Sequence, residues 1–214
     1  MALEIKGFQF NMFGETTYLV WDDTTREAMI VDAGMCNTEE REELDAFIDG
    51  LGLKIKYLVN THLHIDHVFG VPYIKERYKV GLSASMEDEF LAERIEQQSY
   101  MFGLPQKAEN VEIDNDLRPG DILTLGNYLI KVIGMPGHSP GGIALYAPEG
   151  NFVLTGDSLF QGSVGRTDLP RGDHDELIQS VKNGLLVLPD DTVVFPGHGP
   201  STTIGKEKMS NPFL

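Results

Sequence analysis

Four potential metal ligands lie in one short segment of the sequence, where residues 61–67 read T-H-L-H-I-D-H. An apolar stretch typical of a buried strand precedes this segment. In extended backbone alternate side chains share a face, so we expect His62 and His64 to point to the same side. Asp66 and His67 come where the chain must turn into the next helix, and they can face the same space from another direction. Three imidazoles and one carboxylate at this spacing suit Zn²⁺, Fe or Mn.

The alternative for this segment is a solvated polar loop that binds no metal. Burying so many potential cations together without a metal would cost several kcal/mol in desolvation and mutual repulsion. The clustering of ligand types therefore favours a metal site.

Three further candidate ligands, His138, Asp157 and His198, each follow a predicted strand. Glycine lies beside each of them, in the segments P-G-H-S-P-G, T-G-D and P-G-H-G, and it permits a tight turn and a close approach to a bound group. Taken singly, each of the three could be a turn residue. Together with residues 61–67 they place five of the six histidines at strand ends beside Gly or Asp. The predicted site therefore contains five histidines and two aspartates.

The sixth histidine, His174, differs from the other five. It follows Asp173 and precedes Glu176, and the pattern D-x-x-E is typical of a capping box that starts a helix. We expect a structural role for His174 rather than metal binding.

The composition excludes several classes of partner. The 214 residues include 33 acidic and 17 basic side chains, which give a formal net charge of −16. This charge disfavours nucleic acid and anionic membrane surfaces as partners. No apolar run approaches the roughly 18 residues that span a membrane, and the N-terminus does not read as a signal peptide. The only cysteine, Cys36, excludes an internal disulfide, so we expect a cytoplasmic protein.

The pattern of elements predicts a layered α/β fold in one domain spanning residues 1–214. Strands are predicted at residues 17–21, 28–32, 55–60, 122–125, 128–133, 142–147, 152–155 and 192–195. Helices are predicted at residues 38–50, with Thr38 as N-cap, and at 68–78, 85–102 and 174–187. Hairpin-like strand pairs with interspersed helices indicate two sheets, each covered by helices.

With these residues identified, the chain resembles the metallo-β-lactamase superfamily over nearly its whole length. The motif H-x-H-x-D-H at residues 62–67, followed by the three later ligands, matches the ordered ligand set of that family. The resemblance implies a four-layer αββα sandwich with the site at one edge between the sheets. It assigns the ligands as follows: His62, His64 and His138 to a first metal, Asp66, His67 and His198 to a second, and Asp157 to both.

Two further expectations come from the same resemblance. Asp32, in the segment V-D-A-G, would orient the site without binding metal, and the alternative is that it is only a turn residue. Redox di-iron members of the family carry Glu where this chain has His64, so His64 favours the hydrolytic branch.

Within that branch the chain is similar to glyoxalase II (hydroxyacylglutathione hydrolase), particularly its short bacterial relatives. The similarity lies in G-D-S-L-F at residues 156–160, in G-S-V-G-R-T-D-L-P at residues 162–170, and in the segment that starts at Gly197. It implies two divalent metals, zinc first with Fe or Mn as alternatives, that share a hydroxide which attacks a thioester carbonyl such as that of S-lactoylglutathione. Asp66 would be the catalytic residue that orients the hydroxide and takes its proton while remaining a ligand.

Loop 161–172 is the expected substrate-recognition segment. Arg166 in this loop could pair with a substrate carboxylate through two hydrogen bonds. The alternative is that Arg166 pairs with Asp168 and braces the loop. The predicted partner is a small-molecule thioester, and a homo-oligomer is left open.

Two other functions remain as alternatives. Persulfide dioxygenases, which bind one iron, carry a Gly-Arg-Thr-Asp stretch similar to residues 165–168, and they continue with Phe-Gln where this chain has Leu-Pro. The second alternative is a metal-binding relative without enzymatic activity, which the complete ligand set disfavours. We expect a hydrolase.

Overall fold

Two six-stranded sheets and one small hairpin make up the β-structure of the computed structural model, which describes residues 2–104 and 108–214. The first sheet contains, in spatial order, β1 (Leu3–Phe10), β2 (Glu15–Asp22), β3 (Glu27–Val31), β4 (Lys54–Val59), β5 (Leu82–Ala84) and β6 (Asn115–Asp116). The second sheet contains β7 (Ile122–Leu125), β8 (Tyr128–Gly134), β9 (Ile143–Ala147), β10 (Phe152–Gly156), β13 (Val193–Pro196) and β14 (Thr202–Thr203), in the spatial order β14-β13-β10-β9-β8-β7. Strands β11 (Leu159–Phe160) and β12 (Ser163–Val164) form the hairpin.

Helices lie on the outer faces of both sheets. They are α1 (Thr38–Leu51), α2 (Val71–Tyr78), α3 (Glu89–Ala92), α4 (Ile95–Met101), α5 (His174–Ser180) and α6 (Ile204–Ser210), with a π-helical segment at Val181–Leu185 and 3₁₀ turns at Ile65–His67 and Met86–Asp88. Within the described residues, no helix combines the length and the apolar character that a membrane span requires.

Three separate apolar clusters define the layers. Neighbouring residues of β2 face opposite sides of the first sheet, as the two-residue period of a strand requires. Leu19 packs with Leu44 of α1 on the helix side, whereas Val20 belongs to the cluster between the two sheets. A third cluster joins the outer face of the second sheet to Leu177 and Val181. Helix, sheet, sheet and helix therefore follow one another, which confirms the predicted αββα sandwich.

Strand direction brings the candidate ligands to one edge of this sandwich. In the first sheet β3 and β4 are parallel, so both end at the same edge. In the second sheet β10 and β13 are parallel, and two antiparallel steps through β9 give β8 the same direction as β10. The two sheets are joined at this edge, where the backbone N–H of Ile143 donates to the carbonyl oxygen of Thr61 at 2.8 Å.

Some predicted boundaries are wrong. Helix α1 is capped by Asn37 rather than Thr38, because the Asn37 side chain accepts from the Glu40 N–H at 2.9 Å. The helix predicted at residues 68–78 starts only at Val71, since the chain first makes the 3₁₀ turn at residues 65–67. The sequence patterns also missed β1 and α6.

Two predicted helices are interrupted. The segment 85–102 is divided into a 3₁₀ turn and the two helices α3 and α4. The Asn110 side chain accepts from the Glu96 N–H at 3.0 Å, so a distant residue caps the start of α4. The helix predicted at residues 174–187 continues beyond Ser180 as the π-helical segment. A Cβ on Gly184 would overlap the end of the Met135 side chain, so a larger residue there would require Met135 to move.

Candidate metal centre

The first donor group consists of His62, His64 and His138. One ring nitrogen of each lies within 4.8 Å of the others. His64 Nδ1 is 2.9 Å from His138 Nε2, which is 3.3 Å from His62 Nε2. All three side chains are buried. Three nitrogens that converge in this way are the donor set of a tetrahedral metal with one open position.

Neutral groups orient two of these three rings. His138 Nδ1 is 2.7 Å from the carbonyl oxygen of Arg166, which assigns the proton to Nδ1 and leaves the Nε2 lone pair for a metal. His62 Nδ1 is 3.1 Å from the hydroxyl of Thr61. Burial, reinforced by the neighbouring imidazoles, lowers the pKa of His62 well below its ordinary value and the pKa of His64 to about 3. The His62 and His64 rings are therefore neutral, which is the form that binds metal.

The second donor group consists of Asp66, His67 and His198, which also have donor atoms within 4.8 Å of one another. Asp66 Oδ2 lies 3.2 Å from His198 Nε2 and 3.8 Å from His67 Nε2. His67 is fully buried, whereas the Asp66 and His198 side chains retain 17% and 26% of their surface. This group is therefore the one that opens to solvent.

Asp157 lies between the two donor groups. Its Oδ1 is 3.0 Å from His198 Nδ1 and 3.5 Å from His67 Nε2, while its Oδ2 is 3.9 Å from His138 Nε2. A Cβ on Gly197 would overlap the Asp157 carboxylate, so the absence of a side chain there lets the two turns approach. The two oxygens of one carboxylate thus face different donor groups, as a bridging ligand would.

Opposite charges dominate the second donor group. Burial lowers the pKa of His198, but hydrogen bonds to Asp157 and Asp66 outweigh burial and raise it to about 9. Burial acts on His67 in the same way and is outweighed by Asp66, Asp32 and Asp157, so the pKa of His67 is well above its ordinary value. Burial would raise the pKa of Asp66 and of Asp157, but His67 and His198 lower both. Without metal, this group is an imidazolium–carboxylate cluster.

Asp32 supports the second donor group from behind. Its Oδ2 is 3.2 Å from His67 Nδ1, and its two oxygens accept from the N–H and the hydroxyl of Thr61, each at 2.7 Å. Asp32 also has a left-handed φ of 55°, so it is at once a turn residue and a neighbour that orients His67. The two alternatives from the sequence are therefore compatible.

The donor set fits divalent metal ions. The structure brings together all seven residues that the sequence singled out, and both ring nitrogens of His67 lack a hydrogen-bond partner among the described residues. Buried polar atoms without partners are rare and costly, and a cation among these donors would satisfy His67 Nε2. Imidazole and carboxylate donors are compatible with Zn, Fe and Mn.

Two buried carboxyl groups beside the centre were not found from the sequence. Asp88 accepts from the Ser139 hydroxyl at 2.8 Å and from the N–H groups of Gly141 and Leu63, so it ties two segments of the first donor group together. Glu15, at the start of β2, has no exposed surface. No motif marks Asp88, and the only signal for Glu15 is a charged residue at the start of an apolar strand.

The remaining candidates lie outside the donor groups. Arg166 makes two hydrogen bonds of 2.7 Å with the Asp168 carboxylate, and both side chains are exposed. The structure thus shows the bracing pair, and substrate binding by Arg166 stays a prediction. His174 is exposed at the first turn of α5, where Asp173 is the N-cap and accepts from the Glu176 N–H as expected.

Comparison with known proteins assigns the family. The sequence profile of the metallo-beta-lactamase superfamily matches residues 11–198 of the chain. The hydroxyacylglutathione hydrolase GloC of Haemophilus influenzae is 41% identical over 203 residues, which cover 94% of this chain and 93% of that protein. The chain therefore belongs to the metallo-beta-lactamase superfamily, a family of metal-binding, hydrolase-like proteins. The predicted similarity to hydroxyacylglutathione hydrolases is confirmed.

Two solved structures extend this comparison. TTHA1623 in a di-iron-bound form superimposes with a TM-score of 0.85 at 36% identity, covering 98% of this chain and 100% of that one. ETHE1 from Myxococcus xanthus superimposes with a TM-score of 0.77 at 28% identity, covering 98% of this chain and 83% of that one. Both structural similarities extend over nearly all of the present chain, so they concern the whole αββα sandwich and not one segment of it.

Proposed function

We propose that the protein is a binuclear metal-dependent thioester hydrolase of the glyoxalase II type. The observation that carries this proposal is the pair of three-residue donor groups with Asp157 between them, its two oxygens facing different groups. Similarity to GloC and to a di-iron-bound structure supports the reaction class and the presence of two metals. Zinc is the metal we favour, with iron or manganese as alternatives.

Bound at the two donor groups, divalent cations would lower the pKa of a water molecule to about 7 and polarise the carbonyl of the substrate. Asp66 is the residue placed to orient that water, because it is partly exposed and its Oδ2 lies 3.2 Å from His198 and 3.8 Å from His67. The lowered pKa of Asp66 keeps it ionised, which is the form that accepts a hydrogen bond from the nucleophile and orients it. The departing thiolate, with a pKa of about 8.5 for a cysteine-like thiol, needs little protonation.

The surroundings of the second donor group favour a small thioester with an apolar part. In the turn between β1 and β2, the Asn11 side chain donates to the Asp66 carbonyl oxygen at 3.0 Å, which places this turn beside the site. Met12 and Phe13 follow and are exposed, and the Phe13 ring lies 6.1 Å from the exposed ring of Phe102. Loop 161–172 contributes the cationic groups on the side of the first donor group, where the Arg166 carbonyl oxygen contacts His138.

A mononuclear iron persulfide dioxygenase is the second candidate function. It is favoured by the structural likeness to ETHE1 and by the Gly-Arg-Thr-Asp stretch at residues 165–168. The two candidates differ in the number of metals and in the second reactant, which is water in one case and oxygen in the other. Both differences are measurable on the purified protein.

The test combines a metal count with two assays. Elemental analysis gives metals per chain, thiol release from S-lactoylglutathione measures hydrolysis, and an oxygen electrode measures uptake with glutathione persulfide. We expect two metals and thiol release, which His62→Ala abolishes. His174→Ala is the matched control, since this exposed histidine lies outside both donor groups, and it should leave activity unchanged. One iron per chain with oxygen uptake would refute the hydrolase.

A further inference from the structure

Glu15 is a completely buried glutamate at the first residue of β2. Its Oε2 accepts from the Thr17 hydroxyl at 3.1 Å, and the same hydroxyl accepts from the Gly34 N–H at 2.9 Å. Its Oε1 has no hydrogen-bond partner among the described residues. Burying a carboxyl group that has an unpartnered oxygen destabilises the fold. A glutamate at this position is therefore better explained by a role in the neighbouring site than by packing.

The Glu15 side chain lies next to Asp32, the residue that contacts His67 of the second donor group. One carboxyl oxygen of Glu15, one of Asp32 and a ring nitrogen of His67 all lie within 4.8 Å of one another, and all three residues are buried. Asp32 in turn contacts His67 Nδ1 at 3.2 Å. The packing is tight, because a Cβ on Gly34 would overlap the Glu15 carboxyl group. Glu15 therefore restricts the space in which the Asp32–His67 pair can move.

The Glu15 backbone contacts the same donor group from another side. Glu15 forms an isolated antiparallel bridge with His198, and the neighbouring Thr16 N–H donates to the Gly197 carbonyl oxygen at 2.8 Å. One residue thus reaches His67 with its side chain and the His198 turn with its backbone. These are the two histidines of the second donor group, and they come from different sheets of the sandwich.

We propose that Glu15 is a positioning residue for the second metal position, where it fixes the Asp32–His67 pair through its side chain. The proposal rests on the two metal positions of the proposed function but not on the substrate, because its test measures metal affinity. Groups that orient the ligands of a metal typically change metal affinity by 10–100-fold when they are removed.

The test compares Glu15→Ala and Glu15→Gln with the unmodified protein. Metal-free protein is titrated with Zn²⁺ in competition with a chromophoric chelator, which resolves the two binding steps, and elemental analysis gives the final count. We expect Glu15→Ala to weaken one of two steps by about 10–100-fold and leave the other unchanged. Glutamine keeps the length and can still accept from Thr17, so Glu15→Gln should bind both ions within about threefold of the unmodified protein.

Glu207 provides the matched control. It is another buried glutamate, held by the Thr202 hydroxyl at 2.6 Å and the Gly162 N–H at 2.8 Å, away from both donor groups. Glu207→Ala should lower the melting temperature but should not weaken one Zn²⁺ binding step relative to the other. If Glu15→Ala does not fold, Thr17→Val removes the hydroxyl that holds Glu15 and should weaken the same single step.

Four results would overturn the proposal. Glu15→Ala could bind both ions as the unmodified protein does, or weaken both steps equally as a general loss of structure would. Glu15→Gln could be as weak as Glu15→Ala, which would assign the effect to charge and not to position. Three ions per chain, one of them lost in Glu15→Ala, would make Glu15, Asp32 and His67 a metal site of their own. Unmodified protein that binds two ions but does not cleave the thioester would refute only the proposed function.

Discussion

The two donor groups of the metal centre are built from different chemistry. The first donor group is three buried imidazoles, and its rings are oriented by a carbonyl oxygen and a hydroxyl. The second donor group contains a carboxylate, opens partly to solvent, and is backed by the buried carboxyl groups of Asp32 and Glu15. Burial lowers the pKa of His64, whereas carboxylates raise that of His198.

This difference separates two tasks within one site. His62 and His64 of the first donor group can receive a cation without losing a proton, so they are preorganised for binding. The second donor group already holds compensating charges, so a cation that enters it must displace protons from its histidines. Because Asp66 and His198 are also the partly exposed members, the exchange takes place on the side that opens to solvent.

The largest effect is expected for Asp157, whose two carboxylate oxygens face different donor groups. Asp157→Ala should lower kcat/KM by about 10³-fold or more, because the metals supply several kcal/mol of transition-state stabilisation. Elemental analysis should show that binding at both positions is weakened. If this variant kept one ion at full affinity, Asp157 would be a ligand of only one metal position and would have to be assigned to that donor group alone.

The pH dependence of metal binding should distinguish the two donor groups. With the pKa of His198 raised to about 9, a metal ion displaces a proton from this ring at every lower pH. His67, whose pKa is also raised, can lose a second proton, so affinity at the second position should rise at least about tenfold and up to about a hundredfold per pH unit from pH 6.5 towards pH 9. With the pKa of His64 at about 3, that ring has no proton to lose in this range, so affinity at the first position should stay nearly flat.

Chelator competition with Zn²⁺ at half-unit pH steps measures both dependences on the same sample. Equal slopes for the two binding steps would contradict the assignment of protonated histidines to the second donor group alone. Asp66→Asn tests the same point, because it removes one of the carboxylates that raise the pKa of His198. In this variant the metal affinity of the second position should stop rising with pH at a lower pH.

The sequence carried enough information to predict the donor groups but not their difference. The ligands follow strands directly, so a local pattern of strand, glycine and ligand was sufficient to find them. The protonation of His67 depends on the adjacent Asp66 and also on Asp32 and Asp157, which are 35 and 90 residues away along the chain. Asp88 likewise acts on Ser139 through a contact that spans 51 residues. No local spacing encodes such contacts.

The errors in the fold have the same origin. Sequence patterns found most of the longer strands, including the edge strand β7. They missed β1, an edge strand whose outward residues are polar and exposed, and β5, an interior strand of only three residues. The start of α4 is set by Asn110, a residue beyond its own C-terminal end. Elements were predictable where their own residues stabilise them and not where a distant side chain caps them.

The smallest expected effect concerns Arg166, whose backbone serves the first donor group while its side chain lies in loop 161–172. The Arg166 carbonyl oxygen contacts His138, so a side-chain substitution leaves that contact in place. An exposed ion pair such as Arg166–Asp168 contributes little to stability, so a substrate carboxylate can replace Asp168 at little cost.

If Arg166 binds substrate, Arg166→Ala should raise KM by about three- to tenfold with kcat nearly unchanged, since it removes binding that is equal in ground state and transition state. Asp168→Ala is the matched variant, because it frees the guanidinium and should leave KM unchanged or lower it. If the pair only braces the loop, both substitutions break the same two hydrogen bonds and should change KM alike. Steady-state kinetics of the two variants with one thioester therefore decides between recognition and bracing. The result shows whether loop 161–172, which already orients His138 through the Arg166 carbonyl oxygen, also takes part in substrate binding.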